Sequence, residues 1–325
     1  MKKKLSIIIM CLAFLLIGCS SNNSKENISK EEINWPEKTV EITLPYNAGG
    51  DTDLYCRTAA KYLEEELGQT FVIVNKAGGS GIVASKEIMA SKPDGYKMLF
   101  NHTAALVQET TGLADFSYTD DFANAGTIIE DSTYTLVARA DSGWNTLEEM
   151  VEEAKESPKK ISYSIVHGSV THYVAEQIEK SAGIELNKLD VGSSSADRTA
   201  AFLGGQVDLL VVNYINIADY IEAGTVVPLA ILSTERIPTI PDVPTAVEQG
   251  YEVVSRKLYE FKFPKDTDQQ IVDTFTAALE KISKNEEFQK EVEKFHGQAF
   301  YRSPELTSKE DKEQVEDLSK VMGES

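Results

Sequence analysis

The residues best suited to chemistry lie in the stretch Pro45-Tyr46-Asn47-Ala48-Gly49-Gly50-Asp51-Thr52-Asp53, between a β-rich run and a helical one. Gly49 and Gly50 allow backbone to approach a ligand closely, and the helix that starts near Thr52 presents unpaired N–H groups and the positive end of its dipole. That chemistry suits a negative group. The same spacing also fits a tight turn whose helix is capped by Asp51 or Thr52. Gly79-x-Gly81-x-x-Ala84 also follows a strand pattern, but Met98-Leu99-Phe100-Asn101 stands where a dinucleotide site needs an acidic residue about 20 positions on. His102, His167 and His172 match no standard zinc spacing and read as loop or core histidines. No Gly-x-Ser-x-Gly elbow occurs, so nucleophilic hydrolysis of that kind has no support, and neither cofactor nor metal is expected.

Alternating elements position these loops. Val40–Leu44, Phe71–Val74 and Tyr96–Phe100 read as strands, with helices over 52–67 and 82–90 between them. Gly68 closes the first helix. A further strand over Tyr134–Arg139 precedes Thr146-x-x-Glu149, a capping box. A second set follows: strands at 161–166, near Leu189, at 207–212 and at 227–232, with helices from about Thr171 and over 196–203. The tail is helical, with Ile271, Val272, Phe275, Ala278, Leu279 and Ile282 at a 3.6-residue period. This β–loop–α order predicts parallel-rich sheets with helices on their faces, and ligands then sit at carboxyl ends of strands.

The N-terminus fixes where the chain works. Lys2-Lys3-Lys4, an apolar run from Leu5 and the ending Leu16-Ile17-Gly18-Cys19 form an export signal too short to span a bilayer. That ending resembles the lipobox of bacterial lipoproteins, which implies removal of residues 1–18 and lipidation of Cys19. Residues 19–34 hold no aromatic residue and read as a flexible tether, reaching roughly 20 Å. Formal charge is −20, and three units more negative once Lys2, Lys3 and Lys4 are gone. Such a surface argues against nucleic acid or anionic lipid as a partner of the folded body. Cys56 alone remains inside, so no internal disulfide is expected, and it reads as a small core residue.

Five motifs in register carry a family likeness. Trp35-Pro36 with Val40-x-Ile42-x-Leu44-Pro45-Tyr46-Asn47-Ala48-Gly49-Gly50-Asp51-Thr52-Asp53 resembles the start of the tripartite tricarboxylate transporter substrate-binding proteins, the Bug family. Asn75–Gly81, Pro93–Leu99, Gly204–Leu209 and Ile240–Thr245 continue the likeness over nearly all of the chain after Trp35. The resemblance implies a two-lobed, periplasmic-binding-protein-like α/β fold (type II, Venus flytrap) with a parallel-rich sheet in each lobe. Lobe 1 is expected over 35–137 plus 256–325 and lobe 2 over 138–255. It implies a monomeric, non-catalytic binding protein that captures a small carboxylate or amino acid for membrane permease subunits, anchored by lipid outside the cell membrane. An extracytoplasmic sensor for a signalling kinase would use the same cleft, and the sequence does not separate the two.

The implied jaws are Tyr46, Asn47, Ala48, Gly49, Gly50, Thr52 and Asp53 on one side and His167, Gly168, Ser169 and Thr171 on the other. Asn101 and Asn213 stand at further strand ends facing the cleft. Three departures from the family pattern matter: Asp51 in place of a small residue, a shorter second loop with His167 added, and Gly192-Ser193-Ser194-Ser195 in place of a stretch bearing a lysine and an aromatic residue. Two like charges a few Å apart repel by about 4 kcal/mol at an effective dielectric of ~20. A helix terminus returns only about 0.3–1 kcal/mol, and up to ~2 in favourable geometry. Asp51 is therefore expected to point to solvent or cap its own helix; otherwise the ligand carries an amine.

Overall fold

The computed structural model describes residues 33–192 and 194–322. The export segment, Cys19 and the tether up to residue 32 lie outside the described residues. Among those described, no helix is long and apolar enough to cross a membrane.

Two mixed sheets organise the chain. The first is built from β1 (Val40–Leu44), β2 (Phe71–Asn75), β3 (Lys97–His102), β4 (Phe122–Asp131), β10 (Lys257–Pro264) and β11 (Gln298–Arg302), in the order β11-β4-β10-β3-β1-β2. The second holds β5 (Tyr134–Arg139), β6 (Ser162–Ile165), β7 (Asn187–Asp190), β8 (Leu209–Asn213) and β9 (Val226–Ile231), in the order β7-β6-β8-β5-β9. β1, β2 and β3 run parallel, as do β6, β7 and β8, while β10, β11 and β5 pair antiparallel with their neighbours. The chain passes between sheets twice, between Asp131 and Tyr134 and again between Ile231 and Lys257. The boundary expected at 137 falls inside β5, all of which pairs in the second sheet.

Local signals explain the helices that lead away from the strand ends. α1 (Asp51–Leu67) buries Tyr55, Ala59, Tyr62 and Leu63 on one face and ends at Gly68, whose φ of 68° lets its N–H reach Glu64 O. α2 spans Ile82–Met89 and α3 Ala104–Thr110. In the second set, α4 (Leu147–Glu156) starts at the Thr146/Glu149 capping box, α5 (Val170–Ala182) at Ser169, and α6 (Ser195–Leu203) at a Ser194/Asp197 capping box. α7 (Ala218–Glu222) is one turn. α8 (Gln269–Ser283), α9 (Glu286–Glu293) and α10 (Pro304–Met322) complete the chain.

Three strands, β4, β10 and β11, carry no clear signal in the sequence. β4 reads FANAGTIIED, with Ala, Asn and Gly diluting its β character. β10 reads KLYEFKFP, yet all eight residues are buried. Its charges find partners below the surface: Lys262 pairs with Asp311 of α10 at 3.0 Å and lies 3.2 Å from Glu260. Phe261 and Phe263 meet Phe275 of α8 edge to face. α10 also packs on α3 and α5, so the last helix touches elements attached to both sheets.

Candidate functional site

A cavity of about 530 Å³ opens where the strand ends of the two sheets meet. That is within the ~300–1,000 Å³ common for small-molecule sites. One wall comes from the first sheet: Pro45–Thr52 after β1, Ala77–Gly81 after β2, and His102, Ala104 and Gln108 at the end of β3. The other comes from the second sheet: Val166 and Ser169–Thr171 after β6, Ser194–Ala196 and Arg198–Ala200 of α6, and Asn213 and Asn216 after β8. Tyr134 and Lys257, at the two chain crossings, also border it.

Of the residues singled out from sequence, Tyr46, Asn47, Ala48, Gly49, Gly50, Thr52, Ser169, Thr171 and Asn213 border this cavity. Asp53 does not. Its carboxylate accepts from Gly49 N–H at 3.0 Å and from Asn75 at 3.1 Å, and holds Arg57 at 2.9 Å, so it shapes the loop from behind. Asn101 is buried in β3 opposite Glu260 of β10. His167 is exposed, its ring stacked on His172 at 4.9 Å. Gly168 (φ 69°) packs beside Thr111 and Leu113. Neither of these two borders the cavity. The hydroxyls of Ser169 and Thr171 close their own turn: Ser169 Oγ donates to Val166 O, and Thr171 Oγ1 accepts from Val166 N–H.

The first wall offers backbone donors. α1 has no side-chain cap, since its N-cap is Gly50. Gly50 sits at φ −84°, and a Cβ placed there would meet nothing nearer than Asn47 O at 3.9 Å. The space a side chain would take is thus open to another molecule. Tyr46 stacks on His102 at 4.9 Å and 12°, and His102 Nδ1 accepts from Ala104 N–H at 3.2 Å. Burial, reinforced by the Lys257 ammonium, pulls His102 down to about 3, so its ring is neutral near pH 7.

Asp51 corrects the expectation from sequence: it neither caps its helix nor reaches solvent. Its carboxylate is buried, takes an ion pair from Lys257 Nζ at 2.8 Å and accepts from the Tyr259 hydroxyl. Burial alone would raise this carboxyl, but Lys257, His102 and these hydrogen bonds outweigh it and hold it well below the usual range. Lys257 also donates to Asn213 Oδ1, lies 4.3 Å over the Tyr134 ring, and is raised by the charge of Asp51 despite its burial. Asn213 in turn donates to Asp131, which also accepts from Tyr55 at 3.0 Å and from the Thr133 hydroxyl. The carboxylate that threatened to repel an anion is therefore matched by the protein's own ammonium.

Lys257 escaped the sequence reading because β10 did. Arg198 escaped it too, although a signal was there. The Ser194/Asp197 capping box places Arg198 in the first turn of α6, where a cation opposes the helix dipole and needs a reason.

Two mixed sheets joined by two crossings, with a cavity between their strand ends, define a two-lobed solute-binding fold. The sequence profile described as tripartite tricarboxylate transporter family receptor matches residues 55–324, and the chain belongs to that family. Its members are extracytoplasmic receptors that bind substrate. Protein BugT of Bordetella pertussis is 27% identical over 243 residues, covering 73% of this chain and 74% of BugT. The structure of periplasmic binding protein BugD superposes with a TM-score of 0.80 at 26% identity, covering 89% of this chain and 98% of BugD. MatC of Rhodopseudomonas palustris, solved with bound malate, shares the fold at a TM-score of 0.79 and 22% identity, covering 88% of this chain and 99% of MatC.

Proposed function

We propose that this chain is the receptor of a tripartite transporter, tethered by lipid at Cys19 on the outer face of the cell membrane. It captures a small carboxylate in the cavity between lobes that meet at the crossings near residues 132 and 256, and presents it to membrane permease subunits. The observation that carries this reading is the uncapped start of α1 at Gly49-Gly50, bordering a cavity to which both sheets contribute. A ligand that touches both walls binds the closed arrangement better, and only such differential affinity can drive closure. Tyr46, Asn47, Ala48, Gly50 and Thr52 supply one side, and Ser169 and Thr171, which border the cavity at the start of α5, belong to the other. Asp53, Asn213, Gly168 and His167 act by shaping these loops. With Lys257 already opposite Asp51, the ligand needs no amine of its own.

The malate complex of a protein of this fold makes small acids the first panel to try. Micromolar affinity corresponds to about −8 kcal/mol, within reach of several charge-assisted hydrogen bonds in a shut cleft. At ligand a hundredfold above Kd, stabilisation is about 2.7 kcal/mol, visible as a rise in melting temperature. Gly50→Val is expected to abolish the rise while melting like the wild type without ligand, because its backbone is extended and its side chain meets open space. An undiminished rise in that variant removes the Gly49-Gly50 loop from the site.

A further inference from the structure

Arg198 carries a charge that no other described residue answers. Its side chain is buried, at 6% exposure, and borders the cavity. Among the described residues no carboxylate pairs with it and no acceptor takes a hydrogen bond from its guanidinium, and Nε is fully enclosed without a partner. Two more donors on the same wall are in the same condition: the Thr199 hydroxyl and the Asn216 amide nitrogen, both buried, unpartnered and bordering the cavity. The other formal charges bordering it, Asp51 and Lys257, cancel each other.

A buried guanidinium with no counter-ion is costly, and its position near the start of α6 adds the unfavourable end of a helix dipole. A guanidinium fork, on a wall that also carries an unpartnered hydroxyl and an unpartnered amide N–H, suits an oxyanion taken in bidentate fashion. The loop at Gly49-Gly50 belongs to the other wall and supplies its own donors. We propose that Arg198, Thr199 and Asn216 form a second anion subsite on the second-sheet wall, distinct from that loop, so that the preferred ligand is a diacid with one acidic group on each wall. This deepens the receptor reading above and rests on it. It makes Arg198 the residue that counts ligand charge.

The probes are succinate, glutarate and adipate, each compared with its monoamide by calorimetry on the wild type, Arg198→Met, Arg198→Lys and Thr199→Val. The best diacid is expected to bind the wild type about 30-fold or more tighter than its monoamide, the scale of losing one partner of a buried charged pair. Arg198→Met is expected to erase that preference by weakening the diacid alone, leaving the monoamide within about threefold, since losses at one subsite spare the other. Arg198→Lys should recover part of the preference. Without ligand, Arg198→Met is expected to melt at or above the wild type, because it removes an unpaired buried charge. Should Arg198→Met fail to fold, Arg198→Lys and Thr199→Val carry the comparison. Equal affinity of diacid and monoamide for the wild type, or an equal loss of both in the variants, overturns the second subsite while the receptor reading stands. Binding of no acid at all to the wild type overturns both.

Discussion

The pair Asp51–Lys257 is buried at the edge of the cavity, and Lys257→Met tests what it contributes. Lys257 leaves the second sheet's territory to begin β10, and its ammonium meets Asp51 at 2.8 Å and Asn213 of β8 at once. At an effective dielectric of ~20 the gross attraction at this distance is about 6 kcal/mol, before desolvation is subtracted. Removing the lysine leaves a buried carboxylate held only by the Tyr259 hydroxyl, and breaking such a pair from one side costs about 3–5 kcal/mol. For a domain of this size that corresponds to a melting temperature roughly 6–15 °C lower. Asp51→Asn alone should also destabilise, by stranding the ammonium. The double variant Asp51→Asn/Lys257→Met should recover much of the loss, with a coupling of about 2 kcal/mol or more in a urea or thermal cycle. Single variants within 2 °C of the wild type, or losses that simply add, would show that the pair is not what keeps Asp51 charged at the cavity.

Two further outcomes follow from the same wall. Gly81→Ala is expected to destabilise by about 1–3 kcal/mol in thermal melts, because φ is 97° and the new Cβ would lie 2.9 Å from Pro45 Cβ; ligand affinity should fall with it, since Pro45 precedes Tyr46. His102 has its proton affinity lowered in the folded state, to about 3 from an ordinary value near 6.5, so the unfolded chain takes up that proton first. Its contribution is therefore whole above pH 6.5 and is lost at about 1.4 kcal/mol per pH unit as the pH falls toward 3. His102→Asn, whose side chain can still accept from Ala104 N–H, should show a flatter stability curve between pH 6.5 and 4 than the wild type; parallel curves would refute the assignment.

The sequence displayed what local physics writes plainly. The helix start at Thr146, the glycine stop at Gly68 and the strand–loop–helix order at Gly49-Gly50 each depend on neighbours in the chain and are where the pattern puts them, and the helix expected from about Thr171 begins at Val170. β4 and β10 were illegible because their stability comes from partners 49 to 184 positions away, such as Lys262 with Asp311 and Asn124 with Ser308. A strand spelled KLYEFKFP is read as exposed until those partners are known. The same holds at the site. The backbone loop before α1 was visible, but Asp51 was misjudged because its counter-ion is 206 positions along the chain. Arg198 was visible only as a cation at the wrong end of a helix, a local conflict of the kind that tends to mark function.

How a chain of net charge −20 captures an anion is settled by distance rather than by the total. Exposed carboxylates beyond one screening length, about 8 Å at physiological salt, contribute little inside the cavity. The groups that act there are few and dry. Of the side chains that border the cavity, Asp51 and Lys257 sum to zero, His102 is neutral, and Arg198 is positive, so the lining carries one positive charge plus the amides of an uncapped helix. If Arg198 were answered by a carboxylate of the protein, the cavity would be neutral and would select ligands by shape. Because none of the described residues does so, the free energy of pairing that guanidinium remains to be realised by the ligand, and with it a means of joining the second-sheet wall to the first.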